Sequence, residues 1–565
     1  MKQVFAFIVC LLFISQGSGQ RYIINDSVLI HTSYGITLSA VVVRSADVQT
    51  KQPAALMFFI YANTARSIEE AKSAADHGYV GIVADARGKR LGTGKIEPYE
   101  HEVQDVNAVI EWITHQPWSD GRVGMYGGSY SGFAQWAATK KLHKALKTIV
   151  PYVAAIPGLG VPMENNIFLT ANYQWPFYVT TSNMLDTAIN NDFQRFRKLR
   201  VNWFYSGVPF NRIDSIDGLP NPWLQKWLKH PSFDRYCQSM IPFRNEYAHI
   251  NIPVLSITGY YDDGQVSAME YFREHYRYRP DAEHYLVIGP YDHFGAQQGG
   301  RKVLRGYTVD SVALINTREL TFQWFDHILK GKEKPSLIKD KINFQQMGTN
   351  TWKHAPSLKK MEDSIVTFYL ADNKMLSRTK PSKTTYHKQE IDLANRDQWT
   401  NQYYPDPIIE TSIDTTSGLF FWTDTFNEDI TVSGQIEGVL KAIINKRDMD
   451  IGLTLYEVMP DETFFHLTYY IGRASYAKDM TTRRLLTPGK LASIPISRSR
   501  LFSKKVQKGS RLLLVLNINK NPFSEVNYGS GKIVNTESIK DAGKPLSIQW
   551  SNESFIQLGI SSLKK

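Results

Sequence analysis

A mainly parallel α/β sheet followed by an all-β domain is predicted from three observations. Short β-rich apolar runs alternate with helix-period segments in the first third of the chain, a stretch of about 90 aromatic-rich residues then interrupts the alternation, and beyond about residue 335 only short β-type runs remain. With 565 residues, 42% hydrophobic and 21% charged, the chain is globular in composition and exceeds one ordinary domain. Two or three domains are expected.

The first element is a leader. MKQVFAFIVCLLFISQGSGQ has one lysine, an 11-residue apolar run from Val4 to Ile14, and Gly17 and Gly19 at the −3 and −1 positions of a cleavage site. Residues 1–19 are therefore expected to be a secretory signal peptide, and the run is short of the roughly 20 residues that span a bilayer. The mature protein is expected to be secreted or periplasmic, without a stable membrane anchor. Of the two cysteines, Cys10 lies inside the leader, so Cys237 alone would remain and no disulfide framework is available.

The elements of the α/β region follow in order. Ile36 to Arg44, Leu56 to Tyr61 and Tyr79 to Ala84 read as strands, with a helical segment, SIEEAKSAADHG, between the last two. Val103, Val106, Ile110 and Ile113 then recur at helical spacing until Pro117 and Asp120-Gly121 end the helix. The next strand, RVGMY, runs into GGSYSGF.

That glycine-rich turn bears on chemistry. A nucleophile on a sharp strand-to-helix turn needs backbone angles that neighbouring side chains obstruct, and Gly127, Gly128 and Gly132 make room around Ser129. The helix that follows points its free N–H groups toward a developing oxyanion. Two further polar residues occupy strand ends, Asp262 after PVLSITGYY and His293 after HYLVIGPYD. Loops beyond strand C-termini are where an open α/β sheet gathers its functional groups. The chain order Ser, Asp, His is that of the α/β-hydrolase triad.

Together, VADARGKRLGTG, HEVQDVNAVIEWITHQPWSDG, GRVGMYGGSYSGFAQW, GYYDDG and IGPYDHFG closely resemble the CocE/NonD hydrolases: cocaine esterase, α-amino acid ester hydrolases, glutaryl-cephalosporin acylases and X-Pro dipeptidyl-peptidases. The resemblance covers nearly the whole mature chain. Its nucleophile pattern, G-x-S-Y-x-G, is met by Gly127, Ser129, Tyr130 and Gly132. It implies an α/β-hydrolase fold with an inserted helical cap and a C-terminal jelly-roll β-sandwich. Ser129 would be the nucleophile, Asp262 the triad acid and His293 the general base, with an oxyanion hole from the Tyr61 hydroxyl and the Tyr130 backbone N–H. Asp85 and Arg87 match a family landmark and are expected to pair as a brace near the site.

The resemblance divides the chain into a hydrolase domain at 20–335, with its cap at about 157–250, and the jelly roll at 336–565, entered through MGTNTWKHA. Within the cap, Trp175, Phe177 and Tyr178 are candidates to line an acyl pocket, with a small core of the cap's own as the alternative.

The formal net charge is +11, but no RNP-like, zinc-finger or basic-helix pattern organises the basic residues, so no nucleic-acid partner is expected. HExxH, paired CxxC, EF-hand and P-loop patterns do not occur, so no metal or other cofactor is expected. The expected activity is acyl transfer from a small ester or amide, such as an α-amino acid ester or a β-lactam acyl group, through an acyl-enzyme. An X-Pro dipeptidyl-peptidase acting on short peptides is the alternative, and a catalytically silent peptide- or glycan-binding protein the reading from a different class. Asp263, Glu164 and Asp292 are the carboxylates available to hold a substrate amine. An imidazole base sets an expected acid limb near its reference pKa of about 6.5.

Overall fold

The computed structural model describes residues 21–562, so the expected leader, with Cys10, lies outside the described residues. The first part of the chain forms a ten-stranded sheet. Its strands are β1 (Tyr22–His31), β2 (Thr37–Ser45), β3 (Gln52–Phe59), β4 (Val80–Asp85), β5 (Ser119–Gly128), β6 (Leu146–Tyr152), β7 (Val254–Gly259), β8 (His284–Gly289), β9 (Ile342–Gln346) and β10 (Thr351–Ala355). They lie in the order β1-β2-β4-β3-β5-β6-β7-β8-β9-β10. From β4 to β9 every pairing is parallel, while β1, β2 and β10 are antiparallel additions at the edges. Helices cover both faces of a parallel sheet, and its inner strands are accordingly apolar without alternation: every residue of β4 and of β7 is buried.

The sheet continues past residue 335. Within MGTNTWKHA, Thr351–Ala355 pairs with Ile342–Gln346, which itself extends β8 in parallel, while Met347 bridges to Lys504 of the β-sandwich, so this segment joins the two sheets. A short apolar run shows that a strand forms but not which sheet takes it. The Asp85–Arg87 brace is also corrected. Asp85 pairs with Arg90 at 2.7 Å and Arg87 with Asp105 at 2.6 Å, since Asp85 ends its strand inside the sheet while Arg87 turns toward the helix Glu102–Thr114.

Register brings three loops together. Gly128 at the end of β5 pairs with Tyr152, Tyr152 with Ile257, and Gly289 with Gly259, so the chain leaves β5, β7 and β8 at one end of the sheet. Between β6 and β7 the cap consists of short helices, including Trp175–Thr180 and Phe193–Ser206, and a two-residue-strand hairpin of Met163–Glu164 and Ile167–Phe168. The remaining chain forms an eight-stranded and a five-stranded sheet, both antiparallel, that pack as a β-sandwich around fully buried residues such as Leu440, Leu453, Leu514 and Trp550. Among the described residues no helix is long and apolar enough to cross a membrane.

Candidate active site

Ser129 sits between β5 and the helix Tyr130–Thr139 with φ 59° and ψ −116°, a conformation that L residues rarely adopt. The turn is held from the sheet side. Ser129 N–H donates to the Tyr152 carbonyl at 3.0 Å, and Phe133 N–H donates to the Ser129 carbonyl at 3.0 Å. The helix lies so close to the end of β6 that a Cβ on Gly132 would fall 2.8 Å from the Tyr152 carbonyl oxygen, which explains the glycine. Tyr130 is the first helical residue, so its backbone N–H belongs to the turn that has no intrahelical acceptor. Its side chain points away, buried, with the hydroxyl donated to Glu102.

His293 and Asp262 meet across the ends of β7 and β8. Tyr260 N–H donates to Gly289 O at 2.8 Å and Tyr261 N–H to Tyr291 O at 3.0 Å, which joins the two loops. His293 Nδ1 lies 2.9 Å from Asp262 Oδ1. The Asp262 carboxylate is buried and also accepts from the Thr258 hydroxyl at 2.7 Å and Gly264 N–H at 2.9 Å. With Nδ1–H given to a carboxylate, Nε2 is left as the proton-accepting nitrogen. The Gln297 side chain packs over the serine turn. Its Nε2 donates to the His293 carbonyl at 2.9 Å, and its Oε1 lies where a Cβ on Gly128 would come within 2.2 Å.

A second carboxylate also faces the imidazole. Asp263 Oδ1 is 3.3 Å from His293 Nδ1. Burial pushes His293 down, but hydrogen bonding to Asp262 and Asp263 and their charges outweigh it and raise the group well above the usual imidazole value. Two carboxylates thus stabilise the imidazolium where the sequence pointed to one. Asp263, largely exposed, is held below the ordinary carboxylate range by its pairing with His293.

Tyr61 lies two residues beyond β3, and its hydroxyl oxygen accepts from Trp175 Nε1 at 3.2 Å, which leaves its own O–H free to donate. The Tyr61 ring is 6.5 Å from that of Tyr130 and 6.0 Å from that of Tyr178. Two of the three cap aromatics, Trp175 and Tyr178, are therefore brought to Tyr61. Phe177, half-buried, meets the Tyr173 ring at 5.7 Å instead.

Residues 29–295 match the X-Pro dipeptidyl-peptidase (S15 family) model, and residues 339–545 match the X-Pro dipeptidyl-peptidase C-terminal non-catalytic domain. The cocaine esterase of Rhodococcus is 23% identical over 492 residues, 82% of this chain and 84% of that one. The chain belongs to the CocE/NonD family of serine hydrolases. Among solved structures of the same fold, an α-amino acid ester hydrolase superposes with a TM-score of 0.76 at 18% identity, covering 97% of this chain and 98% of that one. An aminopeptidase from a marine-sediment Thaumarchaeota archaeon superposes with a TM-score of 0.78 at 17% identity, covering 95% and 97%.

Within this hydrolase of the CocE/NonD family, the three carboxylates named from sequence have partners. Glu164 is buried and bonded to Arg500 at 2.7 Å, Asp292 accepts from Gly295 N–H at 2.6 Å and lies 3.7 Å from Arg301, and Asp263 leans on His293. Sequence reading missed the second carboxylate at His293, although the doubled aspartate in GYYDDG carried the signal. It also missed Arg500, which lies 238 residues from Asp262 and has no local signal.

Proposed function

We propose that Ser129 is the nucleophile of an acyl-transfer reaction, with His293 as general base, Asp262 as the acid that orients it, and Tyr61 and the Tyr130 N–H as oxyanion donors. Ser129 attacks the substrate carbonyl while His293 Nε2 takes its proton. The tetrahedral oxyanion is stabilised by the Tyr61 O–H and the helix N-terminus, and the imidazolium then protonates the leaving group. Water, activated by the same imidazole, releases the acid from Ser129. The observation that carries this reading is His293 Nδ1 held 2.9 Å from a buried carboxylate, with Gln297, bonded to the His293 carbonyl, packed over Gly128 of the serine turn.

The substrate is a small ester or activated amide whose recognition does not depend on a free α-amine. This is supported by the engagement of Glu164 with Arg500, of Asp292 with its own turn and Arg301, and of Asp263 with His293. Dipeptidyl-peptidase activity is the second reading, favoured by the description of the two matching family models. The protein acts after export, as the leader composition supports.

The test is a panel on mature protein: p-nitrophenyl acyl esters, an α-amino acid methyl ester, an α-amino β-lactam and an Ala-Pro anilide. Highest kcat/KM on esters without an α-amine is expected. Highest kcat/KM on the Ala-Pro anilide would move the assignment to the peptidase reading. A fluorophosphonate should label Ser129, and labelling at Ser131 would overturn the nucleophile.

A further inference from the structure

The loop that carries Asp262 and Asp263 is gripped from behind by a side chain of the β-sandwich. Arg500 lies between the strands Leu491–Ile496 and Phe502–Val506 and is 2% exposed. Its guanidinium donates to the Asp262 carbonyl at 3.3 Å, the Asp263 carbonyl at 3.0 Å and the Glu164 carboxylate at 2.7 Å. The Tyr469 ring of the five-stranded sheet backs the guanidinium, 4.3 Å away. The next residue, Leu501, gives its N–H to Gln265 Oε1 at 2.6 Å and takes Gln265 Nε2 on its carbonyl at 3.1 Å. The same Gln265 Nε2 donates to Gly259 O at the end of β7, so sandwich, acid loop and strand are bonded in one chain of contacts.

Glu164 completes the arrangement from the cap. Its hairpin is fixed on the sandwich by Asn165, which donates to Ile471 O at 2.9 Å and Arg498 O at 3.2 Å. One guanidinium thus joins all three parts of the molecule at the backbone of the two residues that face His293.

We propose that Arg500 is a positioning residue for the reaction. By occupying the carbonyls of Asp262 and Asp263, it fixes the peptide planes from which both carboxylates reach His293, so the β-sandwich takes part in aligning the general base. A planar fork serves here because it reaches several acceptors in fixed directions, which an ammonium cannot do. The inference rests on the assignment of Ser129, Asp262 and His293. Failure of that assignment would show separately, as retained turnover in Ser129→Ala.

The test is a double-mutant cycle on a p-nitrophenyl ester. Removing Arg500 alone would leave Glu164 as an uncompensated buried charge, so the pair is replaced together, as Arg500→Met/Glu164→Gln. With folding verified by circular dichroism, kcat should fall on the order of 10- to 100-fold while KM changes little, as expected for a misplacement remote from the reacting atoms. In an Asp262→Asn background the same pair should cost little further, because its effect runs through the acid loop. Arg500→Lys, which keeps the charge but must release at least one acceptor, should lose kcat severalfold, again only when Asp262 is present, and this variant decides the matter should the double variant not fold. Undiminished kcat in a folded variant, or an equal loss in the Asp262→Asn background, would overturn the proposal.

Discussion

Ser129 is set by residues close to it in the chain, whereas His293 is set by residues drawn from everywhere. The serine's strained φ of 59° is imposed by β5 on one side and the helix Tyr130–Thr139 on the other, with Gly132 making the close approach to β6 possible. The imidazole depends on Asp262 and Asp263 from the neighbouring strand end, and that loop depends in turn on Arg500 of the sandwich and Glu164 of the cap. A local turn can be rigid by its own backbone geometry, while an acid–base pair that must raise a partly buried imidazole needs charges that no short segment supplies. The nucleophile is therefore expected to tolerate distant substitutions that impair the base.

The largest effects test the two halves directly. Ser129→Ala should lower kcat on the order of 10⁴ to 10⁶-fold without unfolding the protein, because members of such a triad act as a unit. Retained turnover in that variant would sink the contrast at its local end. Asp262→Asn should cost on the order of 10⁴-fold, since the amide favours the wrong imidazole tautomer. If Asp263→Asn proves the crippling change and Asp262→Asn a mild one, the two carboxylates exchange roles.

A smaller effect belongs to Tyr61. Its conversion to phenylalanine removes one oxyanion donor and should cost about 2.7 to 4 kcal/mol of transition-state stabilisation, measured as kcat/KM, with ground-state binding nearly unchanged. An unchanged kcat would leave the hydroxyl as nothing more than the acceptor for Trp175.

The smallest expected change is a shift in pH dependence. His293 must be neutral to accept a proton, and its carboxylate neighbours raise its pKa, so kcat/KM should climb through a limb above the ordinary imidazole value of about 6.5. Asp263→Asn withdraws one of the two charges that favour the imidazolium, so the limb should move to lower pH while the plateau changes little. A limb that stays in place or moves upward would show that Asp263 does not act on the imidazole.

Several features are legible in the amino-acid sequence alone. The alternation of strand and helix predicts the parallel sheet, the glycines around Ser129 predict a strand-to-helix turn, and the polar residues just past apolar runs pick out Asp262 and His293. Each of these rests on period, turn chemistry or position after a strand, and all three are properties of a short stretch of chain. Phe177 marks the limit of such signals: an aromatic in a cap helix has no local mark that separates a pocket wall from core, nor one that names Tyr173 as the ring it meets.

What the sequence determined by itself is the class of sheet, the residues that can do chemistry at its edge and their order along the chain. What tertiary structure decided is how those residues are held. The strand Thr351–Ala355 extended the ten-stranded sheet while Met347 just before it bridged to the sandwich, Asp85 and Arg87 took separate partners, Asp263 turned to share the imidazole, and Arg500 closed on the acid loop from 238 residues away. The physical reason is common to all four. A hydrogen bond or ion pair is specified by the geometry of both partners, and when they are distant in sequence that geometry exists only once the sheet register and the packing of cap and sandwich have fixed where each partner stands.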